Sequence, residues 1–185
     1  MSIHTVQKSR KAQGACHVCR EPIPEGSAYN WSQASRFAPK IKWHAGCPQP
    51  RPSALEGNDK RARVMAATEE AHDRLDEIAE GEPAETTADD IIAVLNDCAE
   101  AIREVASEYE EAAEAMGAAG EENTERAGTL NEAADNIEAA DIEERPEADE
   151  DEDEDEDGDE APDLAEWLEA QIDTARSAIN DIEIP

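Results

Sequence analysis

The chain has 185 residues, room for one ordinary domain or for a small module followed by an extended helical region. Three tryptophans, two tyrosines and one phenylalanine stand against 48 acidic and 16 basic residues, which argues against the large aromatic core of a compact enzyme. No run approaches the roughly eighteen apolar residues that span a bilayer, and the first twenty residues lack the apolar stretch of a secretory signal, so a soluble, cytoplasmic protein is expected.

Charge is distributed very unevenly. Residues 1–52 hold eight cations (Lys8, Arg10, Lys11, Arg20, Arg36, Lys40, Lys42 and Arg51) against Glu21 and Glu25, a surplus of six. With a net charge of −32 for the whole chain, the remaining residues carry −38. This reads as a basic binding head on an acidic body, because net charge governs partner choice more than fold.

In chain order, residues 1–13 are polar and basic without an apolar period and read as a mobile arm. The next feature is a cluster of chemistry: Cys16 and Cys19 form a CxxC pair, and His44 and Cys47 repeat the interval as HxxC. A tight knuckle presents both thiolates of the first pair to one side of an ion, and a helical turn does the same for the second. Together they close a Cys3His set, a structural zinc site with no open position for substrate. Clustering of three of the four cysteines beside a histidine favours metal over disulfides in a reducing compartment. The long loop between Cys19 and His44 adds little closure cost, since that cost grows only logarithmically. Its content, ProIleProGluGlySer followed by alternation around Tyr29 and Trp31, predicts a β-hairpin after the knuckle.

Four of the six aromatics, Tyr29, Trp31, Phe37 and Trp43, lie in this head among Arg36, Lys40 and Lys42. Aromatic faces beside cations suit nucleic acid, with bases stacked and phosphates held. The other reading is that the rings simply form the core of a small module, Trp43 inside and Trp31 or Phe37 exposed. The nucleic-acid candidates are Lys8, Arg10, Lys11, Trp31, Arg36, Lys40 and Lys42.

The run LysSerArgLysAlaGlnGlyAlaCysHisValCys, then Ile23 and Gly26, then TrpHisAlaGlyCys resembles the poly(ADP-ribose) polymerase-type zinc finger over residues 8–48. The resemblance implies a treble-clef-like module with zinc on Cys16, Cys19, His44 and Cys47, and a basic lead-in and hairpin that touch DNA. The spacer is shorter than that family's, and Trp43 directly abuts His44. The layout as a whole also resembles small uncharacterised proteins of bacteriophages and prophages, which would place it in a host cytoplasm; that resemblance carries no activity.

ProGlnProArgPro at 48–52 reads as a short stiff linker, and Ser53 with Glu56 as a capping box. Val64, Ala67, Ala71, Leu75 and Ile78 mark one stripe of a helix over 58–80, stopped by GlyGluPro. Ile91, Leu95, Cys98, Ile102, Val105, Tyr109, Ala112 and Met116 alternate steps of four and three, a heptad seam predicting a helix over 88–117 and coiled-coil packing. Thr87 with Asp89 and Asp90 suits its start. Gly117 and Gly120 supply a turn, and Ala127, Leu130, Ala134 and Ile137 predict an antiparallel return over 123–143, packed through alanine. The acidic run at 146–161 reads as a disordered tether. A last amphipathic helix over 162–185 carries Leu164, Trp167, Leu168, Ile172, Ala175, Ile179 and Ile182, either docked on the hairpin or detachable.

The expected protein is thus a zinc-binding knuckle and hairpin, residues 1–52, followed by a mostly α-helical hairpin or coiled coil at 53–145, the tether and the final helix. It is non-enzymatic: a thiolate committed to zinc is no nucleophile, and His17 has no partner acid to orient it. The head binds nucleic acid, DNA foremost, and the body oligomerises or recruits a protein partner. Two alternatives are a protein-interaction adaptor using the finger on an acidic scaffold, and an acidic nucleic-acid mimic that occupies a basic host protein.

Overall fold

The computed structural model describes residues 2–146 and 163–185. The expected tether at 146–161 therefore lies, from residue 147 on, outside the described residues. Two compact units are present, Met1–Ala66 and Ala67–Pro185.

The first unit is built on a three-stranded antiparallel sheet of β1 (His4–Val6), β2 (Tyr29–Ser32) and β3 (Ile41–His44), in that spatial order. The expected hairpin is β2–β3. The amino-terminal residues are not a mobile arm: β1 pairs with β2 in the register His4 with Trp31 and Val6 with Tyr29. Ser9 is buried, its amide donates to Ser27 O at 2.9 Å, and its hydroxyl donates to Pro24 O at 2.9 Å. This three-residue edge strand is held by backbone pairing together with the Thr5–Asn30 side-chain hydrogen bond and the stacking of His4 on Trp31, and no apolar alternation announces it.

Register also sorts the aromatic residues. Trp43 pairs with Asn30, and Trp31 with Lys42 one position on. Since successive strand residues face opposite sides, Trp43 and Trp31 part company. Trp43 is 1% exposed and packs with Cys16, Ile23 and Leu55. Leu55 comes from α1 (Pro52–Leu55), a single turn after the proline-rich stretch. The capping box expected of Ser53 and Glu56 is absent: Ser53 lies inside α1, whose N-cap, Arg51, makes no side-chain cap hydrogen bond. The Glu56 carboxylate instead accepts from the Gly57 and Asn58 amides, and the Asn58 side chain accepts from Lys60 and Arg61, opening α2 (Asp59–Glu80).

In the second unit, α3 (Ala88–Met116) and α4 (Glu121–Glu138) form the expected antiparallel hairpin, the most extensive helix pairing among the described residues. Ile91, Leu95, Cys98, Ile102, Val105 and Tyr109 of the seam are buried, as are Ala127, Leu130, Ala134 and Ile137 opposite. Ala99, Ala106 and Ala134 are wholly buried, and such short side chains let the two backbones approach closely. The seam stops short of its last positions: Ala112 is half-buried and Met116 is 54% exposed.

α4 ends at Glu138 rather than near 143. The following segment is taken up by α5 (Leu164–Asn180), whose buried Gln171 accepts the Glu143 amide at 2.9 Å. α5 docks against both α3 and α4, burying Trp167, Leu168, Ile172, Ala175 and Ile179. Among the described residues no helix is long and apolar enough to cross a membrane.

Candidate metal centre

The knuckle begins where an isolated antiparallel bridge brings Ala15 to Pro22. Between them the chain reverses: the Cys16 amide donates to Glu21 O at 2.7 Å, and the Arg20 amide returns to Cys16 O at 3.1 Å. Closing so tight a loop forces Arg20 into the left-handed region at φ 66°, the one non-glycine residue there among those described. The reversal leaves Cys16 and Cys19 on one side. His44 ends β3, and its carbonyl accepts the Cys47 amide at 3.0 Å, a turn that brings Cys47 back beside it.

The four ligand atoms lie within 4.8 Å of one another. Cys16 Sγ is 3.9 Å from Cys47 Sγ, while His44 Nδ1 is 3.3 Å from Cys19 Sγ and 3.8 Å from Cys47 Sγ. The other ring nitrogen, Nε2, is 3.3 Å from Pro22 O. That carbonyl holds the proton on Nε2 and leaves Nδ1 free as a donor of electrons, the outer contact usual for a ligating histidine. Cys16, Cys19, His44 and Cys47 are thus placed to hold a metal ion.

Electrostatics inside the cluster point the same way. Burial acts to raise the Cys16 thiol, but the amides of Cys19, His44 and Val18, with the Cys19 side chain, outweigh it and hold the thiol down at about 6. Cys47 is pushed up to about 11 by burial and by the sulfurs of Cys19 and Cys16. Three thiolates this close repel one another until a cation sits between them. Cys98, the fourth cysteine, is elsewhere: it is buried in α3, and burial raises its thiol to about 11.

The predicted basic and aromatic residues divide into two groups. Lys8, Arg10 and Lys11 are exposed on the segment that leads to the knuckle and line neither of the two clefts around β2 and β3. The others gather around β2, β3 and their loop. Trp31 is half-buried, stacked on His4 with ring centroids 4.3 Å apart, and Lys40 Nζ lies 3.6 Å from its ring centroid. Phe37 at the loop is 83% exposed, with the Arg36 guanidinium 4.4 Å above it. Lys40 and Lys42 share a cleft of about 240 Å³ with His17 and Arg20. His4, His17 and Arg20 are not among the nucleic-acid candidates read from the sequence. The only sequence signal for Arg20 and His17 is that they flank knuckle cysteines, and His4 is placed by the edge strand. No protein family matches the chain, and no curated protein or solved structure is similar to it, so the reading of this centre rests on its own geometry.

Proposed function

We propose that the head is a structural zinc module that binds nucleic acid, DNA foremost, and that the acidic helical body serves assembly or recruitment of a protein partner. Zinc fits the donor set. With Zn–S near 2.3 Å and Zn–N near 2.0–2.1 Å, a regular tetrahedron has S–S edges of about 3.8 Å and S–N edges of about 3.5 Å. The separations of 3.9, 3.3 and 3.8 Å match these edges within a few tenths. A closed set of four protein ligands supports a structural ion, and with it a binding rather than a catalytic role.

The observation that carries the nucleic-acid reading is the contrast between the cations of residues 1–52 and those of the helices, where Arg61 at the start of α2 already pairs with Glu56. In the body, Arg74 pairs with Asp97, Arg103 with Asp135 and Glu138, Arg126 with Glu122, and Arg176 with Asp76. In the head, Lys8, Arg10, Lys11, Arg20, Lys40 and Lys42 have no carboxylate partner among the described residues. In a chain with 48 acidic residues, head cations without a carboxylate, of which Arg20, Lys40 and Lys42 share one cleft, together with an exposed Phe37, suit an external polyanion with bases to stack. The resemblance of residues 8–48 to a DNA-binding finger agrees with this.

The test is anisotropy titration of the zinc-loaded chain with single-stranded, nicked and intact duplex DNA at two salt concentrations. Lys40→Glu with Lys42→Glu should weaken binding and lower the salt slope by about one for each phosphate no longer held. Absence of binding to every DNA at low salt would overturn the reading.

A further inference from the structure

The cleft beside the knuckle is lined by Gln13, Ala15, His17, Arg20, Lys40 and Lys42, with Cys16 in its wall. Among the described residues no carboxylate lines it, Lys42 Nζ donates only to the Gln13 side-chain oxygen at 3.0 Å, and Lys40 Nζ has only the Trp31 ring. Arg20 is carried to the cleft by the left-handed turn that closes the knuckle. Three like charges sharing one concave surface repel one another, and a low-dielectric wall strengthens that repulsion. An anion seated among them would relieve that repulsion.

We infer that this cleft seats the terminal phosphate of a nucleic-acid strand, an inference that rests on the nucleic-acid reading above. Charge matching selects a chain end over a backbone phosphate. A dication held by three thiolates and an imidazole keeps a single net negative charge, which balances one of the three cations. The two that remain match a phosphomonoester, which carries about −1.5 to −2 at neutral pH, better than a phosphodiester with its single charge. Lys40 also ties the cleft to the Trp31–His4 stack, and Arg36 with Phe37 lies on the same β2–β3 loop. With both faces of Trp31 taken by His4 and Lys40, the ring open to a base is the exposed Phe37; a terminal nucleotide offers a phosphate for the cleft and a planar base for that ring, whereas a phosphorylated peptide offers only the phosphate.

The experiment compares short single-stranded oligonucleotides ending in a 5′-phosphate, a 3′-phosphate or hydroxyl groups only, titrated against the zinc-loaded full-length protein. One phosphorylated end should bind about tenfold more tightly than the hydroxyl strand, as charge-assisted contacts to a dianion require. Lys42→Gln and Arg20→Asn should abolish that preference while leaving zinc content unchanged; asparagine tolerates the left-handed conformation Arg20 adopts. Equal affinity for all three strands would overturn the terminal-phosphate seat while leaving nucleic-acid binding standing. Failure of every strand to bind would overturn the nucleic-acid reading, and inorganic phosphate is the probe that then separates the two. Shifts of the Arg20 and Lys42 resonances on phosphate titration would uphold an anion seat, and their absence would overturn that as well. Tighter capture of a phosphoserine peptide than of any phosphorylated strand would overturn the assignment to nucleic acid.

Discussion

Single residues in this protein owe their identity to close approaches that composition does not reveal. Gly120, after the short turn that follows α3, is buried, and a Cβ built on it would run into the backbone of Ala113. Its φ of −86° is open to any residue, so the constraint is space alone. Gly128, on the exposed side of α4, has nothing near where a Cβ would stand. Gly120→Ala should therefore destabilise the chain by about 1–3 kcal/mol, and Gly128→Ala should stabilise it by about 0.5–1 kcal/mol through helix propensity. Urea midpoints of the two variants check both, and a loss of stability in Gly128→Ala would contradict the open space beside that position. The sequence marks Gly120 only as a turn glycine; the neighbour across the turn shows that its constraint is space. The four residues placed to hold a metal are the opposite case, since their paired two-residue intervals are legible without coordinates.

At the scale of elements, the strongest local signals survive into the fold. Thr87 caps α3 by accepting the Asp90 amide, and the Thr87 amide and hydroxyl both donate to the Asp90 carboxylate, at 2.9 and 2.8 Å. The Thr87 amide first, and its hydroxyl second, hold the Asp90 carboxyl below the usual aspartate range. A depressed folded value means that this contribution is present above the ordinary aspartate pKa of about 3.9 and is lost as pH falls through the folded value. Thr87→Ala should cost about 1 kcal/mol at neutral pH. The difference from the parent chain should shrink as pH falls below the ordinary aspartate value and through the lower folded value of Asp90, where Asp90 protonates and half of the reciprocal cap is gone in both proteins. Denaturant titrations at neutral and at acid pH check this, and a constant difference would place the cost elsewhere. β1 and the early end of α4 show where local reading stops: one is held by pairing to a distant strand, the other by the Glu143 amide on Gln171 of α5.

At the scale of the whole molecule, the chain combines two kinds of stability. The first unit has a small core of Cys16, Ile23, Trp43 and Leu55, and a structural zinc of the kind proposed for its Cys3His cluster would contribute on the order of 10 kcal/mol. The second unit buries a long hydrophobic and alanine seam by itself. A chelator should therefore remove the near-ultraviolet signal of Trp43 while most of the helical far-ultraviolet signal stays. Loss of both signals together would show that the two units unfold as one. The sequence by itself determined the candidate ligand set, the helices and the faces they bury, because CxxC and HxxC intervals and heptad spacing are local patterns that need no distant partner to be read. Only the tertiary structure decided that the amino-terminal residues close a sheet, that α5 docks on the hairpin, and that Arg20, Lys40 and Lys42 meet in one cleft. Those outcomes depend on strand register and on which distant groups complete a hydrogen bond or a core, and no neighbouring residue encodes them.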